Sequence, residues 1–243
     1  MRTGVGSRLG RCVLVLLGLV SFCACSTFHR REITSGPWMQ TRNTYAHPAY
    51  PHRQVLNVLV LPVQNPQGSE DVELHRERLL QTAMNSFGKF GYFNLQYDPV
   101  FFDTSGPLMD LDTGFIDRNK LGAVGTEYNA DAVLQISVRE FRPYPPMRMT
   151  VKAMLVDTNT GERIWHFDHV FDTDDNDVVN LMRIWWNDRM AGGKPENRFE
   201  FDRLRPSVLS SFVFYTMAQT YGDMRWDNVA TIRALKEAEA CAR

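Results

Sequence analysis

From Met147 to Asp172 the chain reads MRMTVKAMLVDTNTGERIWHFDHVFD, with apolar and polar residues alternating on both sides of a short polar stretch. A period of two marks a half-buried strand. Met149, Val151, Ala153 and Leu155 fall on one face of the first arm, and Trp165, Phe167 and Phe171 on one face of the second. Between the arms lies Asp157-Thr-Asn-Thr-Gly161, where Asp and Asn favour turns and glycine accepts a left-handed backbone. The pattern predicts an antiparallel hairpin over 147–172 with one apolar face. Burying each of its three aromatics contributes about 2–3 kcal/mol.

The segments before the hairpin predict a β-α-β opening. Val55 to Val63 (VLNVLVLPV) is nearly all apolar, as in a strand buried on both faces. Ser69 or Glu70 can open a helix that carries Val72, Leu79, Leu80, Ala83, Phe87 and Phe90 at helical spacing, with the Arg76 stem on its margin. Gly88 and Gly91 are expected to close it. Phe93, Leu95 and Tyr97 alternate with polar residues in a second strand. Residues 98–117 read as an irregular insert, after which Asp117 caps a short helix with Leu121, Val124 and Tyr128 on one face. Leu134, Ile136 and Val138 belong to a third strand, and Pro143, Pro145 and Pro146 make a stiff turn into the hairpin.

Beyond the hairpin, 172–206 reads as a second insert. Asp174 or Asp175 caps a helix bearing Val179, Met182, Trp185 and Trp186, and Ala191-Gly-Gly193 ends it. Ser207 caps a strongly apolar helix expected to stop at Gly222, and a last amphipathic helix shows Val229, Ile232 and Leu235. The expectation is an α/β (α+β) fold, a mixed sheet in the order β-α-β-α-β-β-β-α with helices packed on it. Its divisions are 1–24, 25–53, a domain over 54–222 and a C-terminal helix over 223–243.

The N-terminus reads as a targeting segment. Arg2, Arg8 and Arg11 precede Cys12 to Val20 (CVLVLLGLV), an apolar run too short to span a bilayer comfortably. Ser21-Phe-Cys-Ala24 then leads to Cys25, and here the chain resembles a bacterial lipoprotein precursor. That resemblance implies a signal peptide over 1–24, cleavage after the small Ala24 and lipid such as palmitate on Cys25, with Ser26 directing the protein to the outer membrane. Phe22 stands where the class carries an aliphatic residue, and Cys23 is the rival position. The other reading is an ordinary secretory signal with incidental cysteines. Two or more acyl chains hold a protein stably where one does not. Lipidated, Cys25 would leave Cys241 without an intrachain partner; bare, it could pair with it.

Residues 25–53 have no regular period and are broken at Gly36-Pro37, His47-Pro48 and Tyr50-Pro51. They serve either as a tether or, given Trp38, Tyr45, Tyr50 and four arginines, as an arm that binds a partner or a membrane surface. Fully extended, the segment reaches on the order of 90 Å.

A net charge of −1 supplies no general field for nucleic acid, and three of the four cysteines lie in the first 25 residues, so the chain is not a disulfide scaffold. Asp103-Thr-Ser-Gly106 and Asp112-Thr-Gly114 look like aspartic-protease fragments, but they lie too close together on one insert to come from separate lobes. Asp172, Asp174 and Asn176 match the start of a calcium loop, yet Asp177 replaces its glycine and Arg183 its final glutamate. His166 and Asp168 share a strand face and His169 points the other way, so they do not close a zinc site. No nucleophile elbow and no phosphate-cradling glycine loop occurs. No catalytic residue, metal or cofactor is therefore expected. Trp185 and Trp186 serve either as core or as partner anchors, since paired tryptophans are frequent anchors at interfaces.

Taken in order, the opening strand, the phrase Asn129-Ala-Asp-Ala-Val-Leu134, the hairpin phrase Leu155-Val-Asp-Thr-Asn-Thr-Gly-Glu-Arg-Ile-Trp165 and the leader resemble the CsgG/LpoB-type family of bacterial envelope lipoproteins. The resemblance implies a non-enzymatic role on the periplasmic side of the outer membrane, held by a lipid anchor. Envelope proteins would be the partners, nucleic acid would not, and homo-oligomers are open. Roles in the family include secretion-channel components and activators of cell-wall synthases. Neither insert reads as a membrane-crossing hairpin, which sets the chain apart from the channel branch. The alternative is an exported metal-dependent hydrolase using the acidic inserts.

Overall fold

A computed structural model describes residues 44–47, 55–99, 108–193, 195 and 198–241, with side chains as far as 223. The backbone follows from the hairpin outward. Strands β7 (Arg148–Asp157) and β8 (Arg163–Asp172) pair antiparallel as the alternation predicts, with Ala153 opposite Phe167 and Leu155 opposite Trp165. Their turn closes as its residues dictate: Asp157 Oδ1 accepts from the Asn159 and Thr160 amides at 2.8 and 2.9 Å, and Gly161 sits at φ 70°.

Around this hairpin stand β1 (Thr44–Ala46), β2 (Asn57–Val60), β3 (Asn94–Gln96) and β6 (Ala132–Arg142), giving a six-stranded sheet in the order β1-β8-β7-β6-β2-β3. β2 runs parallel to β3 and β6, and the other pairs are antiparallel. The helices are α1 (Glu70–Phe90), α2 (Arg118–Glu127), α3 (Asn176–Arg189), α4 (Arg198–Asp202) and α5 (Pro206–Cys241). The mixed α/β sheet and the expected order of its main elements are thus present.

One sheet face is covered by α1 and α5 through a chain of aromatic contacts. Phe87 of α1 meets Trp165 edge-on at 6.1 Å, Tyr221 of α5 meets Trp165 at 5.9 Å, and Phe212 of α5 meets Phe171 at 5.7 Å. The second face carries its own apolar cluster, in which Leu59, Val133, Met154 and Val156 of the sheet pack with Leu121 and Val124 of α2 and with Leu108, Met109 and Leu111. Burial on both faces explains why the first apolar run does not alternate.

Several expectations are corrected. The region read as a tether contains β1, whose Tyr45 lies opposite His166 at the edge of the hairpin. The first insert is not wholly irregular: β4 (Met109–Asp110) and β5 (Phe115–Ile116) form a small antiparallel pair. Gly88 lies inside α1, and Gly91, at φ 62°, ends the helix alone. Asp175, rather than Asp174, caps α3. The helix after Pro206 does not stop at Gly222, so the supposed separate C-terminal helix is its continuation to Cys241. The glycine answers a packing need: a Cβ there would collide with the Tyr92 phenol.

Candidate interaction surface

Cys25 and Trp38 lie outside the described residues, as does Asp103-Thr-Ser-Gly106. Trp185 and Trp186 are described, and both are buried, Trp186 completely. Trp186 packs on Phe199 of α4 at 5.9 Å, and Trp185 on Phe212 and Tyr215 of α5 at 5.7 and 6.3 Å. The anchor role considered for the pair therefore gives way to packing. With Val178 and Met182 they form the inner face of α3 and fasten the insert to α5. Both indole Nε1 atoms are buried without an acceptor among the described residues.

Three carboxylates of the acidic motifs serve local structure. Asp172 Oδ1 accepts from the Asp174 amide at 3.0 Å, and Asp175 Oδ1 from the Asp177 amide at 2.8 Å as the cap of α3. Asp110 Oδ1 accepts from the Asp112 amide at 2.8 Å in the turn of β4–β5. Among the described residues no three His, Cys, Asp or Glu side chains gather as a metal set. His169 packs edge-on against Phe171 at 4.7 Å, while His166 lies opposite Met154 on the other face. Burial is the main influence depressing the pKa of both histidines.

Two cross-strand charge ladders mark the second sheet face. In one, Lys152 of β7 lies 3.5 Å from Asp168 of β8 and 3.2 Å from Asp112, which also receives Arg139 Nε of β6 at 3.0 Å. Burial works to raise the Asp112 pKa, but the Arg139 and Lys152 cations outweigh it and hold the carboxyl below its ordinary range. The small β4–β5 pair is thus pinned to the sheet by its tip. In the other ladder, Arg148 stands between Asp172 at 3.7 Å and Glu140 at 3.4 Å, and Arg142 reaches Glu140 at 3.3 Å. Alternating signs leave each ladder balanced, which suits a sheet face meeting water.

A cleft opens where the β6–β7 turn meets the second insert, with a volume of about 300 Å³. Pro145, Pro146 and Met147 form one wall. Thr173 closes the base, its amide and hydroxyl both donating to the Met147 carbonyl at 2.9 and 3.0 Å. Val179 and Met182 of α3 supply more apolar lining, and Arg203 and Leu204 follow α4 at the lip. Glu200 organises this lip: Arg203 Nε donates to its carboxylate at 2.6 Å and Arg183 Nη2 at 2.9 Å. Burial again favours the neutral acid, but the two guanidiniums prevail and keep Glu200 below the usual glutamate range. Leu204 of the lining is exposed, as are Tyr144 and Phe201, which neighbour lining residues in the chain. Sequence reasoning did not single out Arg203, because the cleft draws on three separated segments; the only local signal was a dense run of Arg and Glu around α4.

No known family's sequence profile matches the chain, and no curated protein does. Solved structures similar to it include the PelC dodecamer of Paraburkholderia phytofirmans, at 16% identity over 57% of this chain and 86% of that one, with a TM-score of 0.38. Lipoprotein GNA1162 of Neisseria meningitidis is 18% identical over 57% of this chain and 99% of its own, with a TM-score of 0.38. The LpoB C-terminal domain of Escherichia coli is 20% identical over 49% and 84%, with a TM-score of 0.36.

Proposed function

We propose that this chain is an exported, lipid-anchored protein on the periplasmic face of the bacterial outer membrane, where it binds an envelope protein and catalyses nothing. The observation that carries the proposal is the start of the chain: a basic leader, a short apolar run and a small residue before Cys25. The fold adds a folded body whose first described strand begins at Thr44. An anchor at Cys25 could then reach the body through at most roughly 65 Å of extended chain. The balanced ladders and the cleft suit recognition, since neither concentrates a single charge nor isolates a nucleophile. Metabolic labelling with an alkyne fatty acid tests the anchor. The wild-type chain takes up label and the Cys25→Ser variant does not; unlabelled wild-type protein defeats the proposal.

A further inference from the structure

The cleft between the β6–β7 turn and the second insert has a composition that specifies its occupant. Its lining is apolar at Met147, Val179 and Met182, and two of these, Met147 and Met182, are buried. Its polar groups are of opposite sign. Arg203 is held through Nε by Glu200, and its Nη groups make no other hydrogen bond among the described residues. Asp174 has its amide tied to Asp172, while its carboxylate has no partner there. Arg203 and Asp174 line the same cavity but form no ion pair with each other. A guanidinium oriented by a buttressing carboxylate is prepared to take an incoming anion along its free edge. An unpaired carboxylate on the same cavity disfavours a purely anionic ligand and favours one that also carries a cation.

We infer that the cleft binds a peptide segment of a partner protein in which an apolar side chain is flanked by one acidic and one basic residue. The apolar side chain enters between Met147 and Met182, the ligand carboxylate meets the Nη groups of Arg203, and the ligand cation meets Asp174. A cavity of about 300 Å³ takes one large aliphatic or aromatic side chain, not a bulky cofactor. This deepens the binding role proposed above and rests on it, but not on the lipid anchor.

The test uses the full chain, purified in detergent, with methionine methyl groups labelled by carbon-13. The probes are capped tripeptides Lys-Leu-Glu and Glu-Leu-Lys, with Lys-Leu-Gln, Gln-Leu-Glu and Lys-Ser-Glu for comparison. The Met147 and Met182 methyl resonances are expected to move with at least one acid–base pair of probes, while Met149 and Met217, buried elsewhere, stay still. Replacing the probe's Glu by Gln should weaken binding about tenfold or more, as loss of a charge-assisted hydrogen bond does. Arg203→Gln should bind the Glu and Gln probes alike, with its methyl spectrum otherwise intact, and Asp174→Asn should lose the preference for the probe's Lys. Still Met147 and Met182 resonances at millimolar peptide, or an Arg203→Gln variant that discriminates as the wild type does, overturns the inference. Peptide binding by an unlipidated chain would reject the anchor and leave this inference standing; lipidation without binding would do the reverse.

Discussion

Trp186 offers a direct measure of what holds the second insert in place. Its indole is fully buried against Phe199, and its Nε1 donor has no acceptor among the described residues. Truncation to alanine removes a large buried side chain and leaves a void, at a cost of about 3–5 kcal/mol. In a chain of this size that lowers Tm by roughly 6–20 °C. Trp186→Phe behaves differently, because two effects oppose. The smaller ring leaves a gap of about 40 Å³, costing about 1–2 kcal/mol with the lost transfer term. It also deletes a buried donor whose lack of a partner costs about 1–3 kcal/mol. The net change lies between about 2 kcal/mol stabilising and about 1 kcal/mol destabilising. Urea unfolding followed by far-UV circular dichroism, on the wild type and both variants, measures the pair. An alanine variant as stable as the wild type would mean that Trp186 does not pack as described. A phenylalanine variant as damaged as the alanine one would mean that the indole N–H has a partner.

Two further substitutions follow from the geometry. Gly222→Ala places a methyl against the Tyr92 phenol and should cost about 1–3 kcal/mol in thermal unfolding, as overpacking does; adding Tyr92→Phe should recover part of that loss, and the absence of any recovery would show that the collision is not with the hydroxyl. Asp112 has a depressed pKa in the folded chain, so its contribution is present above the ordinary carboxylate value and fades as pH falls through the lower folded value. Asp112→Asn should therefore lower Tm at neutral pH and match the wild type once both are strongly acidified, and hydrogen exchange in residues 108–117 should quicken in the variant at neutral pH only.

The sheet was legible because its signals are local. The alternation over 147–172, the Asp157 and Gly161 turn and the nearly all-apolar run at Val55–Val63 each state a burial pattern that the neighbours then satisfy. β1 was hidden because three residues between proline-containing stretches are too few to show a period, and its pairing with β8 is decided a hundred residues away. Gly222 misled because glycine both ends helices and admits close neighbours, and only the position of Tyr92 tells which. Trp185 and Trp186 presented the same ambiguity, since a large aromatic suits a core and an interface equally. The cleft was invisible in sequence: Met147, Met182 and Arg203 acquire their meaning only when a turn, a helix and a loop are brought together.

The two outermost strands, β1 and β3, are each only three residues long. Among the described residues, neighbouring copies of the chain thus find little edge main chain on which to extend a common ribbon, the route by which sheet proteins grow into fibres. Ordered clustering through the described body then falls to its side chains, where a single substitution can tune or abolish it.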